Sequence, residues 1–246
     1  MSISIEYRGP ARRVRFLERP NRYLARVRLL PAGERLLAHV PNPGRMDELL
    51  IPQTTIGYVV PAENPQRKTR FDLVAVRAGT TLVSIDSRVG NRITRAALSA
   101  GRFSELGSGP WRSEVPWEGH RLDFALESTE KSLEPGALLE VKCSNLRVGR
   151  TALFPDAPTR RGVEHLNLMT AARSRGIHAG VLFVLQRSDV ESFAPNRPLD
   201  PEFAQAFDAA RRGGVRIFAH RVRVHPRKIE WDRRVPVLDA LPREPI

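Results

Sequence analysis

The sequence has little cysteine, little lysine and no long apolar run. Cys143 is its one cysteine, so an intrachain disulfide and a metal cluster built from several cysteines are excluded. The first residues, MSISIEYRGPARR, lack the apolar core of a signal peptide. The longest apolar run, Ala179 to Leu185, has the length of a buried strand and is too short to span a membrane. We therefore expect a soluble cytoplasmic protein without a membrane partner.

Acidic residues are also scarce relative to basic ones. Lysine and arginine number 40 against 27 aspartates and glutamates, which gives a formal net charge of +13. Such an excess favours polyanionic partners, above all nucleic acid, because basic side chains displace the counterions of phosphate groups. A genomic preference for arginine is an alternative explanation, but it accounts for arginine over lysine and not for the excess over acids. We therefore predict a polyanionic partner, with nucleic acid as the first candidate.

The first third of the chain predicts a small β-barrel. Segments that fit short strands run over residues 12–30, 35–40, 55–60, 71–77 and 81–85, and no long helix interrupts them. This pattern is typical of an OB-like barrel, which we place at residues 1–88. The barrel loops carry polar and basic side chains that suit single-stranded nucleic acid, namely Asn42, Arg45, Arg67 and Lys68. A scaffold barrel with merely solvated arginines is the alternative, and these residues alone leave it open.

Residues 89–246 predict a mixed α/β domain. We expect a loop after Leu146, and helical apolar spacing begins at Thr159. The continuous apolar run that follows predicts a strand buried on both faces. Asp200 and Pro201 then predict the N-cap and first residue of another helix, which Gly213 ends. Strands alternating with helices in this way are the pattern of an α/β sheet.

Two short runs in the middle of the chain bring charged residues together. The runs HRLDFAL (120–126) and LLEVKCS (138–144) alternate between apolar and other residues, as strands do. Paired as neighbours with their apolar faces inward, they place Asp123, Glu140 and Lys142 on a common surface. Two carboxylates suit Mg²⁺ or Mn²⁺, and a lysine beside them can orient a water molecule or neutralise a phosphate. The pattern resembles the core of PD-(D/E)xK nucleases, with an ion-paired, exposed sheet edge as the alternative.

Five further residues are candidates for the same site. Glu114 falls on the predicted strand Trp111 to Trp117. The resemblance to PD-(D/E)xK nucleases implies an additional acid at this position, and a salt bridge on the strand is the alternative. Arg160, Arg161 and Arg187 are candidates for phosphate contacts. His165 lies one residue from the buried face of its helix, so a structural histidine and a phosphate or metal contact both remain open.

Several longer segments carry a resemblance to one protein family. They are AHVPNPGRM (38–46), NPQRK (64–68), RLDFALE (121–127), LEVKCSNL (139–146), ALFPDAPTRRGVEHL (152–166) and VLFVLQRSDVESFAPN (181–196). Together they resemble the sugar fermentation stimulation protein A family from about Phe16 to Val237. The resemblance implies an OB-like barrel, a PD-(D/E)xK nuclease-like domain, DNA binding and a link to the regulation of sugar catabolism. We therefore expect a DNA partner, single- or double-stranded, bound without sequence specificity. It also assigns Asp123, Glu140 and Lys142 to the nuclease-like motif.

This chain departs from the family pattern at several positions. Pro43 and Arg45 stand where the family usually has threonine and serine, and His120 stands at a usually small polar position. Residues 143–145 are Cys-Ser-Asn in place of asparagine-valine-threonine. The changes at Pro43 and Arg45 leave the ligand of the barrel loop in question. The change at residues 143–145 alters the surroundings of the two acids without removing them.

Two functions fit these observations. One is a Mg²⁺- or Mn²⁺-dependent phosphodiesterase with Asp123 and Glu140 as metal ligands and Lys142 as the third catalytic residue. The alternative is a non-catalytic, DNA-binding transcriptional regulator on a retired nuclease fold. RNA as the substrate and a homodimer as the oligomeric state are further alternatives that the sequence leaves open.

Overall fold

The computed structural model describes residues 3–64, 66–128 and 134–241. Pro65, within the predicted basic turn, lies outside these ranges. The strands are β1 (Ser4–Glu6), β2 (Arg12–Asn21), β3 (Leu24–Leu29), β4 (Arg35–His39), β5 (Ile56–Pro61), β6 (Phe71–Ala78), β7 (Thr81–Ser84), β8 (Trp111–Trp117), β9 (His120–Leu126), β10 (Ala137–Ser144), β11 (Arg147–Val148), β12 (Thr151–Phe154), β13 (His178–Leu185), β14 (Ser192–Pro195), β15 (Arg216–Val224) and β16 (Lys228–Arg234). The helices are α1 (Val89–Ser99), α2 (Arg160–Ser174) and α3 (Pro201–Arg212), with a short 3₁₀ helix at Ser104–Leu106.

Strands β2 to β6 form a closed five-stranded barrel. Their order is β4-β3-β2-β5-β6, and a parallel pairing of β4 with β6 closes the ring through Ala38 opposite Phe71. Alternate residues such as Val14, Phe16 and Val27 fill the interior and are almost fully buried. This strand order is that of an OB-fold, so the barrel predicted from the sequence is confirmed.

The second sheet has seven strands in the order β1-β16-β15-β13-β10-β9-β8. Its central strands β10, β13 and β15 run parallel, and the flanking pairings are antiparallel. Strand β13 is buried along nearly its whole length, because helices cover both faces of the sheet. The predicted mixed α/β class is therefore confirmed. The domain boundary at residue 88 stays a prediction. Strand β1 (Ser4–Glu6), which lies before that boundary, pairs with β16 of the seven-stranded sheet and does not join the barrel.

Helices α2 and α3 cover one face of this sheet, and α1 packs on the other. Asp200 caps α3 as predicted, since its Oδ1 accepts a hydrogen bond from the Phe203 amide at 2.9 Å and Pro201 follows it. Its Oδ2 also accepts from the amide of Thr159, the N-cap of α2, at 2.8 Å. One carboxylate thus fixes the starts of both helices, including the start of the helix that carries His165.

Residues 147–154 differ from the sequence prediction of a loop. Strands β11 and β12 form there and, with β14, make a small three-stranded sheet. The strands are only two and four residues long, so their apolar pattern is too short to separate them from a loop.

The barrel and the α/β domain share a hydrophobic core. Val60, Val74 and Ala75 of the barrel pack in the same cluster as α1 and β10. Both the amide and the hydroxyl of Ser87 donate to the carbonyl of Pro41, at 3.1 and 2.8 Å. The loop after β4 is therefore held beside the start of α1. Within the described ranges no helix is both long and apolar enough to cross a membrane.

Candidate functional site

Strands β9 and β10 separate at the residues that the sequence singled out. Their pairing ends where Phe124 lies opposite Leu139. Beyond that point the amide of Val141 donates to Oδ2 of Asp123 at 2.8 Å, so a carboxylate takes the place of a strand carbonyl. The alternation predicted over β9 is wrong at this point: Leu122 packs in the core under α2 and α3, whereas Phe124 packs in the core under α1. Strand β9 separates from β10 at this point, and its apolar side chains change from one face of the sheet to the other.

The gap opens into a cleft of about 470 Å³ between the two domains. The loop after β4, the start of α1, the middle of β9, the second half of β10 and the loop before α2 form its walls. Asp123, Glu140 and Lys142, which the sequence predicted to share a surface, all line it. The loop after β4 is anchored by Arg19, whose guanidinium donates to the carbonyls of Asn42, Gly44 and Arg45.

Glu140 is buried, with 3% of its surface exposed, and its two oxygens differ. Oε1 accepts hydrogen bonds from Lys142 Nζ at 2.6 Å and from His165 Nδ1. Oε2 is buried and has no hydrogen-bond partner among the described residues. Burial alone would raise the pKa of Glu140, but the hydrogen bond from His165 and the charge of Lys142 outweigh it and lower the pKa. The carboxylate is therefore ionised, with one oxygen that lacks a protein donor within the described ranges.

The pKa of Asp123 is raised, whereas that of Glu140 is lowered. Its Oδ1 accepts a hydrogen bond from Asn91 Nδ2 at 2.7 Å. Burial and the negative charge of Glu140 raise its pKa to about 6, against the lowering effect of the Val141 and Asn91 hydrogen bonds. A cation between the two acids would remove both the burial penalty and the repulsion. The pair is therefore electrostatically suited to a bound metal ion.

The donor set fits a hard divalent cation. Among the residues that the structure describes, no three histidine, cysteine, aspartate or glutamate side chains gather in an arrangement that holds a metal. A site of two carboxylates leaves several positions for water or substrate oxygens, which is how Mg²⁺ is usually bound. The buried Oε2 of Glu140 is a ready ligand for such an ion. Asp123 and Glu140 therefore fit Mg²⁺ or Mn²⁺ better than they fit a zinc site.

His165 lies in the interior, which favours the structural reading that the sequence left open. It is 3% exposed, and its Nε2 lies 3.3 Å from Nε of Arg161. An arginine can only donate, so Nε2 accepts and the proton is on Nδ1, which points at Glu140. The imidazole thus links a cleft arginine to the buried acid and holds that acid in place. A direct contact with a substrate does not suit this position.

Two other predicted residues, Arg187 and Glu114, do not line the cleft. Arg187 is 2% exposed, pairs with Asp189 and donates to the carbonyl of Asn145 at 2.8 Å, so the contacts that the structure gives it are structural. Its contact with nucleic acid stays a prediction. Glu114 is exposed and forms an ion pair with Arg121. It does not line the cleft, so the surface salt bridge, and not an additional acid, describes its position.

The remaining predicted residues lie in or beside the cleft or on the surface. Asn42 and Arg161 line it, and Arg45 is exposed on the same loop as Asn42. Arg67 pairs with the buried Asp72, and Lys68 is exposed. Arg160, also exposed, pairs with Glu164 one helical turn away. Of these basic residues, Arg161 lines the cleft, and Arg45 lies on a loop that borders it.

Sequence reasoning did not assign several polar residues of the cleft to the site, among them Arg88, Asn91 and Asp156. Arg88 and Asn91 belong to the start of α1, and Asp156 belongs to the loop before α2. Arg88 donates to both Asp72 and Asp86, two buried acids, while one of its faces lines the cleft. Burial raises the pKa of Asp156, although the positive charges of Arg19 and Arg45 act to lower it. The sequence signal was weak, because only the fold brings these segments next to β10.

Comparisons with known proteins identify the family. The family model described as the sugar fermentation stimulation protein RE domain matches residues 88–228, and the SfsA N-terminal OB domain matches residues 17–85. The chain belongs to the sugar fermentation stimulation protein family. This confirms the resemblance seen in the sequence, although family membership by itself assigns no reaction.

Relatives and a solved structure cover almost the whole chain. A sugar fermentation stimulation protein homolog of Moorella thermoacetica is 41% identical over 213 residues, which are 86% of this chain and 89% of the relative. A homolog of Clostridium tetani is 36% identical over 230 residues, 92% and 96% of the two chains. The structure of Pyrococcus furiosus SfsA in complex with Ca²⁺ is similar with a TM-score of 0.84 at 26% identity, covering 97% of this chain and 99% of that one.

Proposed function

We propose that this protein is a metal-dependent phosphodiesterase that binds and cleaves DNA. The observation that carries the proposal is the pair of acids in the cleft: Glu140, ionised and with its buried Oε2 lacking a donor within the described ranges, beside Asp123 with its raised pKa. The Pyrococcus furiosus relative was solved with Ca²⁺, an ion that also prefers oxygen ligands, which supports a divalent cation in this family.

Asp123 and Glu140 would hold Mg²⁺ or Mn²⁺ in this site. The ion, when bound, would lower the pKa of a coordinated water and stabilise negative charge on the phosphate. Lys142 keeps its ammonium 2.6 Å from Oε1 of Glu140 and lines the cleft, so it can donate to a phosphate oxygen or to the attacking water. His165 holds the Glu140 carboxylate from the other side. Each residue of the motif therefore has a separate task.

The charge distribution supports a polyanionic substrate. The cleft is lined by Arg88 and Arg161 in addition to Lys142, and Arg45 is exposed on the loop that borders it. With a net charge of +13, the whole protein attracts DNA and brings it to the cleft by long-range electrostatics. Guanidinium groups bind phosphate oxygens in pairs, which holds a strand across the acids.

A cleavage assay tests the proposal. Labelled single- and double-stranded DNA is incubated with the protein in Mg²⁺, Mn²⁺ or EDTA, beside the variants Glu140→Gln and Glu114→Gln. The second variant is a matched control, because it makes the same chemical change at an exposed acid outside the cleft. We expect metal-dependent cutting by the wild type and by Glu114→Gln, with Glu140→Gln reduced by at least about a hundredfold. Intact DNA in every lane, or equal cutting by Glu140→Gln, would refute the proposal.

A DNA-binding protein without cleavage is the second candidate. Two observations favour it: Oε1 of Glu140 is already engaged by Lys142 and His165, and the described residues offer two acids instead of three metal-binding side chains. This candidate predicts DNA binding that survives both EDTA and Glu140→Gln, with no product in the cleavage assay. Binding and cutting measured on the same samples separate the two candidates.

A further inference from the structure

Arg88 is held in place by two buried carboxylates. Nε and Nη2 of its guanidinium donate to Oδ1 and Oδ2 of Asp86, at 2.8 and 2.7 Å. Nη2 also donates to Oδ2 of Asp72, on strand β6 of the barrel, at 2.8 Å. Both acids are 1% exposed. A long side chain that would otherwise rotate freely is therefore fixed before any ligand binds.

Two donors of this guanidinium remain unused. An arginine side chain carries five N–H groups, and Asp72 and Asp86 take those on Nε and Nη2. The two N–H groups on Nη1 make no hydrogen bond with a residue in the described ranges. The Arg88 side chain is 43% exposed and lines the cleft together with Glu140 and Lys142. The network therefore ends in charged donors at the wall of the cleft.

The surroundings of Arg88 favour an anion as its ligand. Asp72 is also paired with Arg67, so two guanidinium groups balance the charges of Asp72 and Asp86. Arg88 is the N-cap of α1, and the first turn of that helix contains no acidic residue. The positive end of the helix dipole therefore adds to the potential at Arg88. A phosphate group, with several acceptor oxygens, matches free guanidinium donors in this setting.

We propose that Asp72 is a positioning residue of the cleft, which together with Asp86 holds Arg88 so that the free N–H groups of Nη1 bind a phosphate ester. Asp72 itself does not line the cleft, and its two oxygens are engaged by Arg67 and Arg88. It acts by fixing the guanidinium in advance, which reduces the entropy that ordering this side chain would cost on binding. The inference rests on the proposed function only in naming DNA as the source of the phosphate.

A residue of the barrel would thereby control a contact made in the cleft. This role has a consequence that charge alone does not share. Replacing Asp72 by asparagine adds one positive charge to the protein, so long-range attraction by itself would tighten the binding of a phosphate. Loss of the positioning would weaken it. The sign of the change in affinity therefore separates the two effects.

The test measures binding without metal and without cleavage. Titration calorimetry in EDTA with the thymidine bisphosphate pTp compares the wild type with Arg88→Gln and Asp72→Asn. Arg95→Gln is the control for the first variant, because Arg95 is an exposed arginine of the same helix that does not line the cleft. Glu63→Gln is the control for the second, because it adds the same charge at an exposed acid of the loop before β6. Melting temperatures verify that each variant is folded.

We expect saturable binding of pTp by the wild type and at least about tenfold weaker binding by Arg88→Gln, since a charge-assisted hydrogen bond to the phosphate is lost. Asp72→Asn should bind at least about threefold more weakly than the wild type, despite its extra positive charge. Both controls should stay within about twofold of the wild type.

A double-mutant cycle separates positioning from a general structural effect. In an Arg88→Gln background Asp72 has no guanidinium to hold, so Asp72→Asn should cause no further loss of affinity. A merely structural Asp72 would weaken binding in both backgrounds. If Asp72→Asn does not fold, Arg67→Gln/Asp72→Asn, which removes the acid together with its second partner, is compared with Arg67→Gln alone.

Unchanged or tighter pTp binding by folded Asp72→Asn would overturn the proposal, as would the absence of pTp binding by the wild type. The cleavage assay reports separately on the proposed function. Intact DNA in that assay would refute the proposed function and leave a positive pTp result standing. Cleavage together with equal pTp affinities for all variants would refute only the role of Asp72 and Arg88.

Discussion

His165 and Glu140 are joined by a hydrogen bond between two buried side chains, from Nδ1 of the imidazole to Oε1 of the carboxylate. The histidine is on α2 and the acid is on β10, so the bond ties a helix to the strand that carries the motif. It also fixes which oxygen of Glu140 is engaged by protein donors. The second oxygen, Oε2, is thereby oriented for a metal ion in the proposed site.

Replacing His165 should weaken metal binding. In His165→Leu the carboxylate loses a donor and rotates more freely, so we expect Mn²⁺ affinity to fall about 10- to 100-fold, as for other residues that orient metal ligands. His165→Asn keeps an N–H near the same place and should recover part of the loss. Titration calorimetry with Mn²⁺ measures both, with His178→Asn, an exposed histidine, as the control. Wild-type affinity in a folded His165→Leu would contradict the positioning role.

Gly90 is required by close packing of α1 on β10. A Cβ at Gly90 would lie 2.5 Å from Sγ of Cys143 and 3.2 Å from Cγ1 of Val141. Alanine normally stabilises a helix by up to about 1 kcal/mol relative to glycine, but here we expect Gly90→Ala to destabilise by about 1–3 kcal/mol because it overpacks the contact. Thermal unfolding measures the effect.

The same substitution should behave differently when Cys143 is smaller. In a Cys143→Ala background the sulfur is absent, so Gly90→Ala should cost much less stability or increase it. The coupling between the two sites is read from a double-mutant cycle. Additive changes in unfolding free energy would show that Cys143 is not the group that excludes a side chain at position 90.

His220 should make the protein sensitive to acid. Its ring stacks on Trp231, with centroids 3.7 Å apart. Burial, with help from the charges of Arg102 and Arg234, lowers its pKa to about 4. Between pH 6.5 and pH 4 the unfolded chain binds a proton that the folded protein does not, so this contribution to stability is complete above pH 6.5 and is lost as the pH falls.

The variant His220→Phe keeps the stacking and removes the titration. From pH 7 to pH 4.5 we expect the wild type to lose about 2 kcal/mol more than the variant, a value reduced for the exposed part of the ring. Urea unfolding at both pH values gives the difference. Parallel pH profiles for the two proteins would show that His220 is protonated equally well in the folded state.

Much of the fold was predictable because local patterns decide it. Strand β9 agrees with the run predicted as a strand at residues 120–126, and the Asp200 cap and Pro201 mark the start of α3 as expected. Both signals depend on residues a few positions apart, which the sequence shows directly. The family resemblance then gave the order of the two domains, which the family models confirm.

The parts of the site that could not be predicted depend on contacts between distant segments. Asn91 reaches Asp123 across 32 positions of the chain, and His165 reaches Glu140 across 25. His165 was ambiguous because it lies next to an apolar helix face, and only packing shows that it is buried. The change of face at Asp123 depends on where β9 leaves β10, which no alternation pattern records.

The most direct test of the account is whether Asp123 and Glu140 together bind a divalent metal ion. Titration of the wild-type protein with Mn²⁺, by calorimetry or by the loss of the free-ion paramagnetic resonance signal, should give saturable binding. Asp123→Asn and Glu140→Gln should each reduce the affinity at least about tenfold, whereas the exposed control Glu114→Gln should leave it unchanged. Wild-type affinity in a folded Glu140→Gln would contradict the account.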